Sequence, residues 1–146
     1  MSVLQQVVRR SLWTSIGAAA ILVAGCATVS STGGTGVRLS GSQEVPPVTT
    51  TASGSGTIMV GADKSVSGSV TTIGINATAA HIHMAAVGQN GPVIITLTKT
   101  ADGVWSVPAG AKLTDAQYDA FKAGNLYVNV HSDAYKSGEI RGQLKP

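Results

Sequence analysis

The sequence predicts an all-β domain, an antiparallel β-sandwich or Greek-key barrel with one short helix, behind an export segment and a flexible tether. Three observations predict it. Only 12% of the 146 residues are charged and 18 are glycine, a composition poor in long helices and rich in turns. Short runs of alternating apolar and polar residues recur along the chain, the period of half-buried strands. Turn-forming groups of Gly, Pro, Asn and Asp separate those runs, and only one stretch carries helix caps. A domain of about 110 residues buries enough surface to fold without staples. That suits a chain whose single cysteine, Cys26, has no intramolecular disulfide partner.

Met1 to Arg10 ends in two arginines, and Leu12 to Gly25 is almost wholly apolar or small. A basic start and a short apolar run make residues 1–25 a secretory signal peptide, since a membrane span needs about 20 apolar residues. Val23-Ala24-Gly25-Cys26 closes the run and resembles the lipobox of bacterial lipoproteins. That resemblance implies lipidation of Cys26 as the first mature residue. Ala27 next to it, rather than an aspartate, implies the outer membrane facing the periplasm. A free cysteine in an uncleaved anchor is the alternative. Residues 27–36 are small, polar and glycine-rich and read as the tether. Loss of Arg9 and Arg10 leaves eight basic against seven acidic residues, a net of +1. With no basic stripe among aromatics, a nucleic-acid partner is excluded.

The domain itself runs from 37 to 146. Val37 to Ser40 alternates, and because Pro46-Pro47 cannot donate to a ladder, the following piece, Gly41 to Pro47, lies at a sheet edge or crosses between sheets. Gly56–Ala62 and Ser65–Thr71 flank Asp63-Lys64 as a hairpin, with Ile58 and Val60 set against Val66 and Val70. Gly88 to Pro92 is a turn leading into Val93–Thr98, a β-branched run read as a central strand. Asp102-Gly103 turns the chain into Val104–Val107. Thr114 and Gln117 form a capping box that opens a helix to Ala123, and Gly124 stands where a terminating glycine belongs. In the last strand Ile140 and Leu144 face inward, while Glu139, Arg141 and Gln143 face outward.

All three histidines lie in two further strands, Ala80–Met84 and Leu126–His131. Alternation puts His81 and His83 on one face and Ile82 and Met84 on the other. It likewise puts Tyr127, Asn129 and His131 opposite Leu126, Val128 and Val130. Two readings are open. If the strands are neighbours, three imidazoles converge and suit a copper or zinc ion. Otherwise the rings bond backbone carbonyls and hold the sandwich ends together. Asp133 is a candidate to orient a ligand or to make a turn contact. Glu44 and Arg141 are candidates to pair across the sheet or to serve an anion.

Leu39 to Pro47, Ala80 to His83, Asn90 to Val93, Leu126 to His131 and Gly138 to Leu144, in that order, resemble the CHRD (chordin) domain family. The resemblance covers residues 37–144 and implies an extracytoplasmic β-sandwich without an established activity. The histidine pattern is also similar to the copper half of Cu/Zn superoxide dismutases. That likeness implies His81, His83 and His131 as copper ligands, and Arg141 as a stand-in for an anion-guiding arginine. No fourth histidine and no cysteine pair accompany them. The sequence thus leads to a lipid-anchored binding module for copper or zinc. A copper-dependent dismutase-like enzyme and a metal-free interaction module are the alternatives.

Overall fold

The computed structural model describes residues 34–146; the expected signal peptide, Cys26 and the expected tether up to residue 33 lie outside the described residues. Nine strands follow one another along the chain. They are β1 (Gly34–Ser40), β2 (Ser53–Val60), β3 (Val66–Ile73), β4 (Ala77–Met84) and β5 (Val93–Thr96). After these come β6 (Thr98–Ala101), β7 (Val104–Ser106), β8 (Leu126–Ser132) and β9 (Ile140–Leu144), with the helix α1 (Asp115–Lys122) between β7 and β8. Every pairing is antiparallel, and the strands form one sheet in the order β5-β4-β8-β9-β1-β2-β3-β7-β6.

That order dictates the shape. The two edge strands, β5 and β6, are separated in sequence by Leu97 alone. The sheet must therefore curl until its edges meet, giving a nearly closed barrel. Closure hides edges that would otherwise be open to pairing with another chain. Leu97 is buried at the seam, and its N–H donates to the Ala80 carbonyl at 2.9 Å.

Several expectations need correction. The run Val93–Thr98 is not a central strand but two edge strands, one pairing with β4 and the other with β7. β-Branched residues favour extended backbone and carry no information about which neighbour they pair with. β1 begins at Gly34, so Gly34 to Gly36 pair with β2 instead of belonging to the tether. The segment after β1 makes a 3-10 turn and then a loop across the outside of the sheet.

The hairpin forms as its alternation requires. Val60 pairs with Val66, and Ile58, Val60, Val66 and Val70 all enter the core. α1 opens with the capping box: the Gln117 N–H donates to Thr114 Oγ1, and the Thr114 N–H donates to Gln117 Oε1. Gly124 adopts a φ of +73°, the left-handed conformation that ends the helix. Phe121 is buried and Tyr118 half-buried against the core. Ile82, Val128, Val130, Ile140 and Leu144 line the inner face of β4, β8 and β9.

Candidate metal centre

β4, β8 and β9 are consecutive in the sheet, so register decides what meets on their outer face. His81 lies opposite Asn129, which lies opposite Arg141; His83 lies opposite Tyr127, which lies opposite Gln143. His131 faces Ala79 and is therefore diagonal to His81, within reach of a ring. The three imidazoles do converge. Each offers a ring nitrogen, and these nitrogens all lie within 4.8 Å of one another.

Alternation predicts this face to be the outer one, yet much of it is covered, with His81 and His131 left partly exposed. Along β8 even Tyr127 and Asn129 are buried, at 3% exposure each. Loops cover them. From the loop after β1, Glu44 accepts a hydrogen bond from Asn129 Nδ2 at 2.6 Å. From the loop after β4, Ala86 O and Asn90 Oδ1 accept from Arg141 at 3.4 and 3.3 Å, and Ala85 O accepts from Gln143 at 3.0 Å. From the loop after β8, Lys136 O accepts from His131. Strand alternation tells which side chains share a face; it cannot tell that a loop will later lie over them.

Hydrogen bonding assigns the ring protons. A carbonyl oxygen only accepts, so His83 Nδ1, 2.9 Å from Gly91 O, carries its proton, as does His131 Nδ1, 3.0 Å from Lys136 O. Both rings are thereby left with an unprotonated Nε2. His131 Nε2 lies 2.9 Å from His81 Nδ1, which donates to it. His83 Nε2 is buried and has no hydrogen-bond partner. Leaving such an acceptor dry costs about 1–3 kcal/mol.

Packing fixes His83 further. Tyr127 stacks on it with ring centroids 4.8 Å apart and planes within 7°. The Arg141 guanidinium covers the other face of Tyr127, its Cζ 3.4 Å from the ring centroid. Tyr127 Oη accepts from the Gly91 N–H at 3.2 Å, so Gly91 holds both members of the stack. Gly91 is a glycine for want of room: a Cβ there would lie 2.0 Å from the Met84 carbonyl oxygen.

All three histidines are held below the usual imidazole range, chiefly by burial. For His81 the neighbouring His131 and His83 add to the depression; for His83 the bond to Gly91 opposes it, while His131 and the Arg141 guanidinium add to it. Neutral rings are what a metal ion requires. Glu44 is pushed up to about 7 by burial, which outweighs the attraction of Arg141 and the bond from Asn129.

The remaining candidates are placed differently. Glu44 and Arg141 make no ion pair within 4.0 Å; Asn129 takes the carboxylate instead. Asp133 is exposed, lines a cleft with Asn76 and Thr78, and stands outside the histidine group. Residues that sequence reasoning passed over are Gly91 and Lys136, which act through backbone carbonyls. A carbonyl is present at every residue, so no residue type marks its use. Tyr127 shares the His131 face and was legible only as a neighbour.

Fold and site together define a class: a nearly closed antiparallel barrel that carries a three-imidazole cluster beneath loops on one outer face. The CHRD domain family model matches residues 35–144, and the chain belongs to that family. No curated protein and no solved structure matches it.

Proposed function

We propose that this chain is a lipid-anchored cell-envelope protein whose CHRD domain binds copper or zinc through His81, His83 and His131. One observation carries the metal reading: the buried lone pair of His83 Nε2 has no partner, beside two more imidazoles whose nitrogens lie within 4.8 Å of one another. Ligating histidines commonly donate their second N–H to a carbonyl or carboxylate, as His83 and His131 do here to Gly91 and Lys136. Metal–nitrogen bonds of about 2.0–2.1 Å place ligand nitrogens roughly 3.3–3.6 Å apart. Ring rotation would have to bring the nitrogens, now up to 4.8 Å apart, to that spacing. His81 Nδ1, now donating to His131 Nε2, would offer a lone pair to an ion once its proton moved to Nε2. The anchoring reading rests on the run that ends at Cys26.

The test is metal content of the mature chain purified without chelator, followed by titration with Zn(II) and Cu(II). One ion per chain, lost in His83→Ala, is expected. Protein that takes up no stoichiometric ion, or a His83→Ala variant that still holds one, overturns the metal reading. Membrane fractionation of Cys26→Ser tests the anchor: the variant leaves the membrane fraction if the lipid holds the protein there.

A further inference from the structure

The cluster is built from neutral donors and stands beside a buried positive charge. Among the described residues no Asp or Glu oxygen joins the three histidines. The Arg141 guanidinium adds to the depression of His83. Arg141 is 2% exposed, and among the described residues no carboxylate lies within ion-pair distance of it. Its nearest acceptors, Asn90 Oδ1, Ala86 O and Gln143 Oε1, are neutral and distant, at 3.3 to 3.4 Å. With Tyr127 4.8 Å from His83 and 3.4 Å from the guanidinium, the charge lies no more than about 8 Å from the His83 ring. Glu44, the acidic group that faces Arg141, has its ionisation pushed up to about 7, so it offsets the guanidinium only in part at neutral pH.

Building on the metal reading above, we propose that the three-histidine site selects a monovalent d10 cation, Cu(I), over the divalent ions Zn(II) and Cu(II). Two physical facts favour it. First, the ion adds its whole charge to a site that already stands beside a fixed cation, offset only in part by Glu44. At about 8–10 Å and an effective dielectric of about 20, each further unit of metal charge weakens binding on the order of tenfold. Second, Zn(II) takes four ligands in a tetrahedron, and among the described residues the chain groups three, so Zn(II) must add a water where Cu(I) need not. A Cu(I) ion is satisfied by three nitrogens in a plane. Among divalent ions Cu(II) binds nitrogen sites most tightly, so it is the competitor that decides the matter.

The experiment measures affinities of the full mature chain for three ions. Cu(I) is competed anaerobically against bicinchoninate, and Zn(II) and Cu(II) against chromophoric chelators. Cu(I) is expected to bind tightest, and bound copper to have a reduction potential above that of aqueous copper. In Arg141→Met the Zn(II) and Cu(II) affinities should rise relative to Cu(I) by about tenfold, and Arg141→Lys should restore the wild-type ratio. If Arg141 only holds the loop after β4, all ions weaken alike in Arg141→Met and the ratio stays put, which overturns the electrostatic proposal. Should the Arg141 variants fail to fold, the wild-type potential still decides: a value below aqueous copper overturns Cu(I) selection while leaving a metal site. A wild-type chain that binds none of the ions overturns both this inference and the function beneath it.

Discussion

The two faces of β4, β8 and β9 are both buried, and they are buried by different means. On the inner face Ile82, Val128, Val130, Ile140 and Leu144 pack into the barrel core at 0–1% exposure. Each such side chain contributes about 1.5–3 kcal/mol of hydrophobic stabilisation. On the outer face His83, Tyr127, Asn129 and Arg141 are nearly as inaccessible, yet they are polar and lie under loops. Burial there costs free energy unless each polar group finds a partner. Most do; His83 Nε2 and Asn129 Oδ1 do not. The inner face holds the fold together, and the outer face spends part of that stability on preformed polar geometry. Such local expense is what a binding site looks like in structural terms.

Mutation should separate the faces. The largest effect falls on the inner one. Ile82→Ala removes a fully buried side chain and should cost about 2–5 kcal/mol in urea unfolding. Metal affinity of the folded fraction should change little, although His81 and His83 flank the site; a metal loss as large as the stability loss would show that the faces are not independent. Next is Gly91→Ala, whose Cβ would overlap the Met84 carbonyl and displace the loop that orients His83. Metal affinity should fall roughly 10–100-fold. An unchanged affinity would mean that the Gly91 carbonyl is incidental to the ligand.

The smallest effect is a pH dependence. Glu44 has a folded pKa of about 7, above its ordinary 4.5, so its stabilising contribution is complete below pH 4.5 and is lost as pH rises through 7. Glu44→Gln removes that loss while keeping an oxygen to accept from Asn129. The variant should gain about 1 kcal/mol or more over wild type at pH 8 and nothing at pH 4, measured on metal-free protein. The histidines pull the other way, their lowered pKa values costing stability as pH falls below 6.5, but they cancel between variant and wild type. A gap equal at both pH values would refute a buried, reluctant carboxylate at this position.

Periodicity and turn chemistry are local properties, and what is local was legible. The Ile58/Val66 hairpin, the Thr114 capping box and the parity of His81, His83 and His131 follow from the side-chain direction of each residue, which backbone geometry sets within a few positions. The splitting of Val93–Thr98 between two edges was not legible, because strand partners are chosen by closure of the whole sheet. Nor was the covering of the outer face: Glu44 and Asn129 are 85 positions apart in the chain, and only folding brings that loop onto β8. Composition and alternation alone determined an all-β domain with its histidines on one side. Tertiary structure decided that those histidines meet, which nitrogen each presents, and that a guanidinium stands behind them, because meeting depends on register between distant strands and burial on loops that local sequence does not aim.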